Sequence, residues 1–252
     1  MLKMKLKYTL SVLLSAIHLF QFAAVFATAS SPWRDPPTVE FSGYHWQVKE
    51  GYGAPGQNRW SQENVRVDAE GRLHLRLNYK ANGWYCAEIR SVEWFGYGSF
   101  LFHLIANPAQ LDPQVVLGMF LYNELSQNEI DVEISRWGKD AGTNLHYSLH
   151  NCIGTVMAED FLLNLSEGDF STHRIDWLAD RIVYSSQYGH RQDTRGLIFQ
   201  KIVAASESED TFLPNGKMRV HLNLWLFRGN APDPDEDVEV IFRRFIYLST
   251  GA

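Results

Sequence analysis

The segment Asn128-Glu129-Ile130-Asp131-Val132-Glu133-Ile134-Ser135 is where the sequence concentrates chemistry. Polar and apolar residues alternate strictly, and successive side chains of a strand point to opposite faces. Ile130, Val132 and Ile134 then share a face expected to join the core, and Glu129, Asp131 and Glu133 share the other. Neighbouring acids stand roughly 6.6 Å apart at Cα, from two residues of rise. Three like charges in a row repel one another, and in a cleft at least one should hold a proton near neutral pH. A carboxylate near a carboxylic acid is what cleavage of a glycosidic bond needs: one acts as nucleophile, the other protonates the leaving oxygen. Glu129 and Glu133 are about 13 Å apart at Cα, whereas retaining enzymes hold their carboxyls about 5–5.5 Å apart. The two side chains must therefore lean together over Asp131, as a concave sheet favours. The pattern alone also describes a solvent-facing strand that happens to be acidic.

The elements around it read as strands. Arg72 to Asn78 sets three leucines against polar neighbours. Ala87 to Ser91, Asn144 to His150, Arg181 to Ser185, Arg219 to Trp225 and Val238 to Ile246 behave alike, with Gly, Asn, Asp and Pro clusters between them. That spacing predicts an all-β sandwich or barrel. The 252 residues, 45% hydrophobic and 21% charged, suit one globular domain. The net charge of −6, with no basic stripe, excludes a nucleic-acid partner. Aromatics reach 13%, which fits either a sugar-stacking surface or an aromatic core.

The first 29 residues predict a secretory signal peptide: Lys3, Lys5 and Lys7, an apolar run from Tyr8 to about Phe26, then Ala27-Thr28-Ala29. The mature product is expected to be an exported, acidic monomer, extracellular or periplasmic, with no membrane anchor after cleavage. Residues 30–40 form a Pro-rich leader, expected to be loosely held, and residues 41–252 a single domain. Gly51-Tyr52-Gly53-Ala54-Pro55-Gly56 fits G-x-G-x-x-G but lacks the flanking strand and helix of a dinucleotide site, so it reads as a flexible loop. No Walker loop, H-E-x-x-H or G-x-S-x-G occurs. The scattered histidines and two distant cysteines, Cys86 and Cys152, give no metal spacing. No metal and no cofactor are expected. Ser206–Asp210 and Asp233–Asp237 read as solvated acidic turns.

From about Phe41 to Leu248 the chain resembles glycoside hydrolase family 16, the laminarinase and lichenase family. The resemblance rests on four motifs in order: Glu129-Ile130-Asp131-Val132-Glu133, the family's E-[ILV]-D-x-E strand; Cys86-Ala87-Glu88-Ile89-Arg90-Ser91 followed by Phe95-Gly96-Tyr97-Gly98; Thr172 to Trp177; and Asn223-Leu224-Trp225. It implies a concanavalin-like jelly roll of two curved antiparallel sheets with a polysaccharide across the concave face. It implies a retaining endo-glycosidase, most naturally one for β-1,3- or mixed-linkage β-1,3-1,4-glucan. Glu129 would be the nucleophile, Glu133 the acid and then base, and Asp131 the residue tuning the nucleophile. Glu88, Arg90, His146, Asn223, Trp225 and Trp137 would bind sugar. Each of these also has a structural reading: an ion pair for Glu88 and Arg90, a core aromatic for Trp225, a satisfied histidine for His146, a capped sheet edge for Trp137. A transglycosylase or a lectin on the same sandwich are the rival functions.

The chain also departs from the family pattern. Gln127 stands where lichenase-type members carry Trp. Asn58 stands where the usual partner of Cys86 lies, so both cysteines are expected to be free. Arg243 stands near an Asp that holds calcium in some members, so that ion is not expected here.

Overall fold

The computed structural model describes residues 31–250 apart from 81, 167, 205–212 and 234–235. The signal segment and the Ser206–Asp210 turn lie outside these residues, and the Asp233–Asp237 turn is described only in part. In chain order the strands are β1 (Thr38–Phe41), β2 (Tyr44–Val48), β3 (Gly51–Gly53), β4 (Asn58–Trp60), β5 (Val65–Val67), β6 (Leu73–Lys80), β7 (Gly83–Tyr85), β8 (Ala87–Ser91) and β9 (Gly98–Ile105). There follow β10 (Val115–Asn123), β11 (Asn128–Ile134), β12 (Leu145–Asn151), β13 (Gly154–Phe161), β14 (Phe170–Trp177), β15 (Arg181–Tyr188), β16 (Leu197–Ala204), β17 (Arg219–Leu226) and β18 (Val238–Ser249). Among the described residues no helix is long and apolar enough to cross a membrane.

Two large antiparallel sheets make a jelly roll. The first runs β1-β2-β8-β17-β10-β11-β12-β13, and the second β16-β15-β14-β9-β18-β6-β5 with β7 added on β6. Strand alternation decides which side chains meet between them. Ile89, Leu222, Met119 and Val132 lie opposite one another across four strands of the first sheet, all fully buried. Phe100, Phe102 and Leu104 of β9, Leu73 and Leu75 of β6, and Phe242 and Phe245 of β18 belong to the same core. Truncating one such side chain to Ala costs about 2–5 kcal/mol. The second sheet also reaches beneath the acid-bearing region: Tyr184 Oη donates to the Ser148 carbonyl on β12 at 2.7 Å.

Three expectations change. The sandwich begins at Thr38 rather than Phe41, because β1 pairs with β2 from Thr38↔Gln47 onward. The leader is tied down: the Val48 N–H donates to the Pro37 carbonyl at 2.8 Å, and the Glu50 N–H to the Pro32 carbonyl at 3.2 Å. The Gly51–Gly56 stretch enters a hairpin, β3 on β4, held by the Trp60 indole N–H on the Gly53 carbonyl at 2.9 Å. Both cysteines are free, Cys86 buried and Cys152 exposed. Cys86 Sγ lies 3.4 Å from Asn58 Oδ1, so an amide fills the space beside it, and burial pushes its thiol up to about 12. Arg243 is exposed on β18, and a guanidinium has no lone pair for a cation. Among the described residues no three His, Cys, Asp or Glu gather as metal ligands.

Candidate active site

The turn into β11 sets the parity of its acids. Asn123 closes β10, and its Oδ1 accepts the N–H groups of Leu125 (2.8 Å) and Ser126 (3.0 Å). Gln127 takes a left-handed conformation, φ +55°, and its N–H returns to the Asn123 carbonyl at 2.8 Å. A shift of one residue here would carry all three acids into the core. In the observed register, Glu129, Asp131 and Glu133 lie opposite Tyr122, Phe120 and Gly118 of β10 on one side. On the other they lie opposite His150, Ser148 and His146 of β12. The rows continue through Arg219, His221 and Asn223 of β17 to Arg90 and Glu88 of β8. All of these side chains occupy the face turned away from the core. Asp131, His221 and Asn223 are nevertheless 3–4% exposed, so the surroundings rise about them as a cleft.

Burial pushes all three carboxyls of β11 upward. The charge of Glu88 adds to this at Glu129, both glutamates add to it at Asp131, and Glu129 adds to it at Glu133. The closeness of Asp131 and Glu129 draws Glu129 back down and Asp131 further up. The other side of Asp131 is fixed by Ser148 Oγ, donating to Oδ2 at 2.9 Å, with His150 Nε2 at 3.3 Å. Asp131 favours the anion of Glu129, whereas repulsion from Glu129 favours the acid of Glu133.

Gly118 is the floor between Glu133 and Asn223. A Cβ there would stand 2.5 Å from Asn223 Oδ1, so only glycine lets the amide lie flat on β10. Asn223 Oδ1, His221 Nε2 and Arg219 Nε are buried without a hydrogen-bond partner. These three atoms share one face of β17 and lie beneath the cleft surface, out of contact with solvent.

The remaining sequence-derived residues divide. Trp137 and Trp225 come together beyond Glu133, their rings 6.2 Å apart and edge-on, with Phe227 5.4 Å from Trp137. Trp137 has φ +52°, and its N–H is held by Ser135 Oγ at 3.0 Å. His146 is fully engaged: its Nδ1 meets Asp160 at 2.7 Å and its Nε2 the Ser135 carbonyl at 2.7 Å. Its ring lies 5.5 Å from Trp137, so its part is to brace that loop rather than to reach substrate. Glu88 is likewise corrected from sugar ligand to ion-pair partner. Lys49 Nζ stands 2.6 Å from one oxygen and His221 Nδ1 2.9 Å from the other. Burial alone would raise the Glu88 carboxyl, but Lys49 and His221 hold it below its usual value. Arg90 donates to Gln47 (2.8 Å) and Glu124 (2.7 Å) under the ring of Trp33, which leaves one guanidinium nitrogen uncommitted.

His221, Ser148 and His150 share strand faces with Asn223, Trp225 and His146, so alternation alone nominates them. Gly118, Phe120 and Tyr122 had no such signal, because β10 is apolar on both faces. Lys49 and Trp33 had none either.

Crowded carboxyls on the open face of a jelly roll, among orphaned hydrogen-bonding groups and paired indoles, define a glycan-processing protein. No family model matches the sequence. Over 169 residues the chain is 30% identical to a β-glucanase of Paenibacillus macerans, spanning 63% of this chain and 68% of that enzyme. The fold matches the Bacillus licheniformis β-glucanase with a TM-score of 0.64 at 19% identity, over 87% of this chain and 96% of that one. It also matches a glycoside hydrolase family 16 endo-glucanase from Bacteroides ovatus, with a TM-score of 0.59 at 14% identity, over 81% and 94% of the two chains. The chain belongs to the β-glucanase family.

Proposed function

We propose that the protein is an endo-hydrolase of β-glucan that retains anomeric configuration, with β-1,3- or mixed-linkage β-1,3-1,4-glucan as substrate. The carrying observation is the row of Glu129, Asp131 and Glu133 on the open face of β11, between Gly118, Phe120 and Tyr122 of β10 and His146, Ser148 and His150 of β12. Glu129, its anion favoured by Asp131, attacks the anomeric carbon. The bond to the leaving oxygen breaks as Glu133 delivers its proton there. Glu133, now a carboxylate, takes a proton from water, and the water oxygen displaces Glu129 from the same carbon. Arg90, with one guanidinium nitrogen uncommitted, is the group that meets sugar hydroxyls, and the indoles of Trp137 and Trp225 bound the cleft beyond Glu133. Export through residues 1–29 belongs to this reading, supported by the basic start, apolar run and small-residue cleavage signal.

The test is reducing-end release from laminarin, mixed-linkage glucan, xyloglucan, agarose and carrageenan, with Glu129→Gln as control. Turnover of a β-glucan that falls by about 10³-fold or more in Glu129→Gln, with binding of that glucan retained, is the expected result. Equal turnover in the variant removes Glu129 from the mechanism. Binding without turnover in the wild type makes the protein a lectin, and chain-length redistribution without net hydrolysis makes it a transglycosylase.

A further inference from the structure

Residues 31–37 carry one side chain onto the face that holds the acids. The Arg34 N–H donates to the Ser31 carbonyl at 2.8 Å, and the carbonyls of Pro32 and Pro37 accept from Glu50 and Val48. Gly53 leaves room for this path, since a Cβ there would stand 3.2 Å from the Pro32 ring. Between the anchors, Trp33 is held over β8 and β17. Its ring lies 4.1 Å from the Arg90 guanidinium and 5.5 Å from Lys49 Nζ, and meets His221 edge-on at 5.9 Å.

Trp33 is half-buried and packs against none of the hydrophobic core. A large flat ring set on charged and polar side chains gains little as core, and it suits a ligand that is apolar on one face and polar at its rim. A pyranose ring has that character. The His221 imidazole beside it gives Nδ1 to Glu88 and is fixed there. The position is set by register. Arg90 lies opposite His221, His221 opposite Phe120, and Phe120 opposite Asp131. Three strand spacings separate Arg90 from Asp131, roughly 14 Å, along the direction that crosses the strands.

We propose that Trp33 is the stacking platform of a distal glycosyl-binding subsite, so that the segment leading into β1 forms part of the substrate-binding surface. The inference rests on the glucan-hydrolase reading and extends it to chain length. A sugar unit held there is remote from the reacting bond and contributes binding that only a long substrate can use.

The experiment compares the full-length wild type with Trp33→Ala and Trp33→Phe on β-glucan polymer and on oligosaccharides from disaccharide to hexasaccharide. Trp33→Ala should raise KM about tenfold on the polymer and the longest oligosaccharides. It should leave the shortest cleavable substrates unchanged, and Trp33→Phe should recover most of the loss. An equal loss at every length would reduce Trp33 to a support for Arg90 and overturn the proposal. An unchanged KM on polymer, or a faster Ala variant, would overturn it too, the latter by making the leader a cover over the cleft. If the wild type cleaves no glucan, the functional reading itself fails. The subsite is then judged by retardation in gels containing the same glucans. Retardation lost in Trp33→Ala supports the subsite, and retardation equal in both proteins or absent from the wild type overturns it.

Discussion

Asp131 decides how two similar glutamates take different roles. It is the most enclosed of the three acids, 4% exposed, and burial and two neighbouring carboxyls disfavour its charge. Protonated, it offers Glu129 an O–H donor, while Ser148 and His150 hold its Oδ2. An amide N–H can replace that donor, so Asp131→Asn should retain most of kcat while Asp131→Ala loses about 10- to 150-fold, the worth of a hydrogen bond to a charged group. Steady-state kinetics of the two variants separate this role from one that needs an aspartate anion, in which case Asn would fare as badly as Ala. Glu133 makes a second prediction, on stability. Its folded-state pKa is raised, so the folded protein binds more protons than the unfolded chain between the ordinary value of 4.5 and the raised one. Stability is then complete below about pH 4.5 and falls as pH climbs through that window. Glu133→Gln removes the titration. The variant should match the wild type in acid and melt a few degrees higher at pH 8, and a Tm difference independent of pH would contradict the assignment.

The elements that carry the site were legible in proportion to how differently their two faces are solvated. β11, β12 and β17 each set polar residues on the cleft face against apolar residues on the core face. Alternation therefore placed Glu129, Glu133, Asn223 and Trp225 on the correct side before any coordinates. β10 carries apolar residues on both faces and reads as a nearly unbroken apolar run, so Gly118, Phe120 and Tyr122 gave no sign that they floor the cleft. Pairing between side chains was hidden as well. That Glu88 is consumed by Lys49 and His221 depends on β2, β8 and β17 being neighbours, which no local pattern encodes. The leader looked loose because prolines remove donors, yet its carbonyls remained free to accept from β2 and the residues after it. The flat seat of Asn223 on β10 is testable at this scale. Gly118→Ala should lower Tm by a few degrees and kcat/KM by about tenfold, because the added methyl must displace the amide. Pairing it with Asn223→Ala should restore Tm without restoring activity, whereas failure to restore Tm would place the strain elsewhere on the strand.

Across the whole molecule, the two sheets divide the labour between them. The second sheet and the inner face of the first bury the large aromatics, Trp177, Tyr184, Phe100, Phe102 and Phe242 among them. The outer face of the first is left to polar and ionisable groups that are buried without full pairing. Such groups weaken the fold at the site. β17 has a singular place in this plan. It lies between β8 and β10, so residues 219–226 alone join the β1-β2-β8 half of the first sheet to the β10–β13 half. Glu88 meets Asn223, and Arg90 meets His221, across more than half the chain. Such distant pairings form slowly, because the loop they close must be ordered before any contact rewards it. A nascent chain that has not yet released residue 226 holds its three acids on a half-sheet that lacks the β17 and β8 side of the cleft. Competence for chemistry is thus withheld until residues 219–226 have emerged, by the order of strands alone.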